Sequence, residues 1–153
     1  MVAVNLGSDH VTVSWTQAAE VLVRHSDLGV EGVWTLTRAA QHALLTLALD
    51  ARRDSDLSLT LASMDLGEVL EELEWADPDL PGRAATVDLG PTPSGGDGGC
   101  RAAVAVLLAG CLDTAACLLR DPCGEMDTAE VLRLARMVHL LDAAHLRVTG
   151  RMP

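Results

Sequence analysis

The side chains best suited to catalysis or metal binding lie near the carboxyl end of the chain, in the pattern His139-x-x-Asp142-x-x-His145. Three residues on a helix turn by about 300°, so Asp142 neighbours both histidines, whereas the two histidines lie about 120° apart. A histidine pair that binds one metal from one helix is usually spaced four apart. The pattern therefore favours a carboxylate that orients a neighbouring imidazole, and it predicts neither a metal site nor a cofactor.

The four cysteines are the other candidates for chemistry: Cys100, Cys111, Cys117 and Cys123. Cys111 and Cys117 are six residues apart, a helical rotation of about 240°, so their thiols point apart. A nucleophilic thiol needs a partner base, and none is identified for Cys100 at the start of a helix. We expect reduced, mostly buried cysteines, with Cys100 and Cys123 the most exposed, and we assign no catalytic residue.

Secondary-structure elements must position these side chains. The most apolar stretch of the chain runs from Arg101 to Arg120 and predicts the central element. It is too long for a strand and is rich in Ala and Leu, which favour helix. Its apolar residues cover every face, as in a helix that is buried in a bundle or spans a membrane. The uncharged run from Ala102 to Leu112 is shorter than the roughly 20 residues that a bilayer requires. Asp113 would lie near the middle of such a span, so we expect a core helix and no membrane partner.

Helical periodicity predicts four further helices, with approximate limits of 16–28, 31–50, 65–76 and 128–149. Ser14 with Gln17 and Asp127 with Glu130 have the spacing of residues that cap a helix start. Gly29 is expected to end the first helix, and the three tryptophans are the only large side chains available as core anchors: Trp15, Trp34 and Trp75. The sequence thus predicts a single, mainly α domain over residues 1–153, a bundle of four to five helices.

Alternating apolar residues compete with this all-helical interpretation in two places. Alternation over residues 2–15, around the turn at 7–9, predicts a small N-terminal β-hairpin, and residues 57–61 alternate again. The alternative fold is therefore α+β, in which these segments and 86–89 pair into one sheet. Residues 90–99, rich in Gly and Pro, predict a flexible loop that lets the central helix cross the bundle.

Charge and composition exclude several classes of partner. The net charge is −11, so the chain lacks the basic surface that nucleic acid requires, and binding to anionic lipid is disfavoured. The N-terminus has no signal-peptide pattern, which makes the cytoplasm the expected location. The chain contains no Lys, Ile, Phe or Tyr, residues with AT-rich codons, and this indicates a bacterium with a high-GC genome.

The first functional hypothesis is a non-enzymatic cytoplasmic interaction or regulatory protein that acts through helix packing as a homodimer. The last predicted helix carries apolar residues on more than one face, so we expect a second copy or another protein partner to cover one of them. The predicted interface comprises Leu132, Arg133, Arg136 and Leu140, with the arginines at the rim near acidic residues of the partner.

The second hypothesis is a small-molecule binder or a cofactor-independent enzyme with an apolar pocket between helices. A core that is poor in aromatic residues can leave such a cavity. The predicted ligand-binding residues are Trp34, His42, His139 and His145. The first hypothesis is favoured because no catalytic group of residues has both the required types and the required spacing.

Far-UV circular dichroism distinguishes the two folds. A helical bundle should give a helix content well above about 40%, which is not far above the average of globular proteins. A content well below that value would contradict the bundle and favour the α+β arrangement.

Overall fold

The computed structural model describes residues 14–49, 57–90, 98–120 and 125–150. Helices account for 83% of these residues, and no strand occurs among them, so the mainly α prediction is confirmed. The alternation at 57–61 belongs to a helix, because Leu59 begins a buried stripe that continues at helical spacing through Leu66 and Leu73. The predicted hairpin at 2–15 lies almost wholly outside the described residues.

Six helices are described: α1 (Trp15–His25), α2 (Val30–Ala48), α3 (Leu57–Ala76), α4 (Leu80–Arg83), α5 (Gly98–Arg120) and α6 (Thr128–Thr149). Both hydrogen bonds of the predicted capping box between Ser14 and Gln17 are present. Asp127 caps α6, which ends at Gly150 in the left-handed conformation that glycine tolerates best. Gly29 does not end α1 as predicted, because α1 stops at His25 and Gly29 is the residue that precedes α2.

Four of the helices form a ring in the order α2, α3, α6 and α5, each packed on the next. Trp34 near the start of α2 donates a hydrogen bond to Glu74 near the end of α3, so these two helices are antiparallel. Arg101 at the start of α5 likewise donates to the carbonyl of Val148 at the end of α6. α1 lies outside the ring against α5 and runs parallel to it, since Thr16 contacts the start of α5.

α5 is the central element, as predicted, because it packs on α1, α2 and α6. Its buried residues include Val104, Leu107, Leu108 and Cys111, which contribute to one continuous core. Among the described helices, this one alone is long and apolar enough to cross a membrane. That property is weak evidence for a membrane span, because the core helix of a bundle passes the same test.

α3 and α5 occupy diagonal positions of the ring, and the described part of the connection between them is anchored near the start of α2. Arg83 in α4 donates hydrogen bonds to Glu31 of α2 at 2.6 Å and to Asp77 at 2.5 Å. Thr35 donates to the carbonyl of Ala85 at 2.8 Å. Of the predicted flexible loop at 90–99, Gly99 already belongs to α5, and residues 91–97 lie outside the described ranges.

Gly32 lies against the turn between α1 and α2, where a Cβ atom would be only 1.8 Å from the carbonyl oxygen of Asp27. We expect Gly32→Ala to lower the free energy of unfolding by about 1 to 3 kcal/mol, as overpacking usually does. This loss should appear even though alanine favours a helix by about 1 kcal/mol over glycine. Chemical denaturation monitored by circular dichroism measures the change.

Gly67→Ala in α3 is the matched control. Its Cβ would lie 3.2 Å from Nε2 of Gln41, the end of a side chain that can move. The substitution should therefore leave the free energy of unfolding unchanged or raise it by up to about 1 kcal/mol. Equal stabilisation by both substitutions would contradict the close approach at Gly32.

Candidate functional site

The four residues that were predicted to bind a ligand do not converge on one site. Trp34 is buried between α2 and α3, and its indole nitrogen already donates to Glu74 at 3.1 Å. His42 is exposed two turns further along α2. His139 and His145 lie on α6, which occupies the position diagonal to α2 in the ring. The ring therefore separates the residues of α2 from the two histidines of α6.

The pattern around Asp142 does not form the predicted pair. Asp142 and His139 are both exposed, and within the described part of the chain no hydrogen bond joins Asp142 to either imidazole. His139 instead lies near Asp65 of α3, whose pKa is raised by burial, a shift that His139 opposes only slightly. Over the same residues, no group of three or more His, Cys, Asp or Glu side chains has the arrangement of a metal site.

The described cysteines are divided between the core and the surface. Cys111 is fully buried 3.6 Å from the hydroxyl of Thr37, and burial raises the pKa of its thiol to about 12. Because the thiolate is the nucleophile, Cys111 is unreactive near neutral pH. Cys100 is buried, contrary to prediction, and Cys117 is exposed with its sulfur accepting from Arg120. Cys123 lies outside the described residues.

Among the described residues, the surface between α3 and α6 brings together the largest set of interacting charged side chains. A groove of about 560 Å³, here called the α3–α6 groove, is lined by Glu68, Glu71, Glu72, Trp75, Arg133 and Arg136. The four residues of α3 follow one another at spacings of three, one and three, so they share one face of the helix. The two arginines, three apart on α6, form the opposite wall.

Ion pairs cross this groove within the same chain. Arg136 lies 3.3 Å from Glu68 and 3.5 Å from Glu72, and Arg133 lies 3.7 Å from Glu72. The arginines that were predicted to meet acidic residues of a partner therefore meet those of their own α3. Exposed pairs of this kind contribute about 0 to 1 kcal/mol each, so they define how α6 lies along α3 more than they stabilise the fold.

The apolar surface of α6 is smaller than predicted. Leu140, a predicted interface residue, packs against the core of its own chain, and Met137 is buried in that core. α3 and α5 both pack on α6, which was expected to leave one apolar face for a partner. Leu132, which is 65% exposed, is the predicted interface leucine that remains at the surface.

Trp75 is the residue of the groove that sequence reasoning misplaced. It was expected to anchor the core, but its side chain is 81% exposed. The signal was present in the spacing, because Trp75 follows Glu71 by four residues and Glu68 by seven and so belongs to the acidic outer face of α3. Trp75 was predicted to lie in the core because large aromatic residues are usually buried.

Two aspartates, Asp65 in the middle of α3 and Asp77 directly after its end, have opposite pKa shifts. Burial raises the pKa of Asp65 above its ordinary value of 3.8 and outweighs the opposing effect of Arg147, whose Nε lies 3.2 Å away. The hydrogen bond from Arg83 lowers the pKa of Asp77 below 3.8. The folded state favours the protonated form of Asp65, so its contribution to stability is present at low pH and is lost as the pH rises through the folded pKa. The folded state favours the ionised form of Asp77, so its contribution is lost as the pH falls through the folded pKa.

An NMR titration of the side-chain carboxyl carbons should give a pKa above 3.8 for Asp65 and below 3.8 for Asp77. Arg83→Met should raise the pKa of Asp77 and leave that of Asp65 unchanged, because Arg83 contacts only the former. Arg147→Met should raise the pKa of Asp65 further. A pKa for Asp65 below 3.8 would show that the ion pair outweighs burial.

No protein-family model, curated protein or solved structure matches this chain. Its function is therefore inferred from the geometry of its own residues. The α3–α6 groove, with its exposed tryptophan and its mixed charges, is the surface that bears most directly on that inference.

Proposed function

We propose that this chain is a non-enzymatic interaction or regulatory protein of the cytoplasm, which packs its helices against a second copy of itself. The observation that carries the proposal is Trp75, whose indole is 81% exposed beside the α3–α6 groove. Tryptophan is enriched among the residues that dominate binding energy at protein interfaces. Burying this side chain against a partner would remove a large apolar surface from water.

Leu132 is an exposed apolar residue on α6. It lies one helical turn before Arg136, so it borders the wall of the groove that Arg136 forms. The arrangement supports an interface with Trp75 and Leu132 near its centre and charged residues at its rim.

The charges beside Trp75 favour a second copy as the partner. Glu71 makes no ion pair within the described residues, and the side chain of Arg136 on the opposite wall is 59% exposed. In a two-fold dimer every contact occurs twice, so Glu71 of each copy can meet Arg136 of the other. The groove surface is therefore self-complementary, although the whole chain carries a net charge of −11.

The non-enzymatic part of the proposal rests on the positions of the reactive side chains. The raised pKa of Cys111 keeps its thiol protonated, and Cys111 lies in the core, away from the groove. The ring of helices keeps the histidines of α6 apart from His42 of α2. These placements favour binding over nucleophilic or acid–base catalysis.

Substitution of the exposed apolar residues should split the dimer. We expect light scattering of the unmodified chain at micromolar concentration to give twice the 16.1 kDa of one chain. Trp75→Ala and Leu132→Glu should each shift the mass towards 16.1 kDa with helicity retained, because both side chains are exposed in the single chain. Leu140→Glu is unsuitable for this purpose, since Leu140 contacts the core.

Leu57→Glu is the matched control for Leu132→Glu. Leu57 is 67% exposed and is the first residue of α3, about 27 Å along the helix axis from Trp75. The Leu57→Glu chain should remain dimeric. A mass near 16.1 kDa for the unmodified chain, or equal dissociation by Leu57→Glu, would refute a dimer built on the groove.

A further inference from the structure

A second cavity lies at the end of the bundle where α2 and α6 begin and α3 ends. It has a volume of about 370 Å³ and is separate from the open part of the α3–α6 groove, although Arg133 lines both. Leu73, Leu134 and Met137, all buried side chains of the core, form an apolar wall. Arg83 and Arg133 lie among the polar residues around it. A small apolar space with a few charged groups is the usual form of a small-molecule site.

Arg133 is the charged group of this cavity whose N–H groups are not used in hydrogen bonds. Its side chain is only 28% exposed, and its nearest carboxylate oxygen, on Glu72, is 3.7 Å from Nε. That distance is too long for a hydrogen bond, and the guanidinium makes none within the described residues. No fully buried side-chain nitrogen or oxygen among these residues lacks a partner, so the free donors of Arg133 are reachable from solvent.

The other charges of the cavity are either paired with each other or oppose an anion, so attraction of an anion depends on Arg133. Arg83 is already held by Glu31 at 2.6 Å and by Asp77 at 2.5 Å, which also neutralises the carboxylate of Asp77. Glu130 remains as an exposed carboxylate without an ion-pair partner among the described residues. Arg133 attracts an anion and Glu130 opposes it, so the two groups have effects of opposite sign that can be measured separately.

We propose that this cavity binds a small amphipathic carboxylate. Its carboxylate accepts hydrogen bonds from Arg133, whose planar guanidinium matches the geometry of a carboxylate. Its apolar tail packs against Leu73, Leu134 and Met137. At about 370 Å³ the cavity lies at the small end of the roughly 300 to 1,000 Å³ range of ligand pockets, so it suits a small ligand with a short apolar tail. Decanoate is a carboxylate of this kind and serves as the probe, and the site does not depend on dimerisation.

Isothermal titration calorimetry of the full chain tests the proposal with decanoate, decan-1-ol and decylamine at equal concentrations. We expect saturable binding of decanoate, with decan-1-ol and decylamine each weaker by about tenfold or more, the factor that one charge-assisted hydrogen bond can provide. This comparison needs no variant, so it stands even where a substitution disturbs folding. Binding of decylamine or decan-1-ol as tight as that of decanoate would overturn the proposal.

Three variants test whether Arg133 binds the carboxylate of the ligand. Arg133→Met keeps much of the apolar stem and should weaken decanoate binding by about tenfold, whereas its effect on decan-1-ol should be small. Glu130→Gln should tighten decanoate binding by roughly twofold or more, because it removes a repelling charge. Arg136→Met is the matched control, since Arg136 lines the groove and not the cavity, and it should leave binding unchanged.

Two results would contradict the assignment. Equal losses of decanoate affinity in Arg133→Met and Arg136→Met would mean that general charge, and not the cavity, attracts the ligand. The absence of saturable decanoate binding up to roughly millimolar concentration would mean that the cavity does not take this class of ligand. Because the chain mass by light scattering is measured independently, either result is distinguishable from a failure of the proposed dimer.

Discussion

The structure depends first on the need to bury most of the apolar surface of α5, which leaves a stripe from Ala102 to Arg120 exposed. α5 has no continuous polar face, so one neighbouring helix cannot cover it, and α1, α2 and α6 share the task. The sequence permits close packing because small residues occur at the contacts. At Gly110, a Cβ atom would lie 2.9 Å from the side chain of Val23 in α1. The hydrophobic effect thus sets the number of helices around α5, and residue size sets how near they lie.

The seam between α3 and α6 is the edge of the ring where charge adds to apolar packing. Asp65 with Arg147, and the pairs of Arg133 and Arg136 with the glutamates of α3, join the two helices along much of their length. Each exposed pair contributes little free energy, but together they favour one register of the helices. Trp75 and Leu132 are exposed apolar residues on the same two helices and take no part in these pairs.

Arg133 connects the two surfaces to which function is ascribed. Its side chain lies between the α3–α6 groove and the cavity at the bundle end, and its one ion pair, with Glu72, is long. An arginine held in place by its apolar stem, with its donors unused, is prepared to bind an anion without losing an existing hydrogen bond. Arg136, one turn away, differs because Glu68 already accepts a hydrogen bond from it, although 59% of its side chain stays exposed.

The sequence by itself determined the helices and their caps, because periodicity and capping are local properties: Ser14, Asp127 and Gly150 act where they were expected to act. It also identified α5 as the core helix from composition alone. Only the tertiary structure decided that Leu140 faces its own core, that Trp75 faces solvent and that the histidines of α6 lie diagonal to α2. Those outcomes depend on which helix packs beside which, and helix order in the ring follows from contacts between residues distant in sequence.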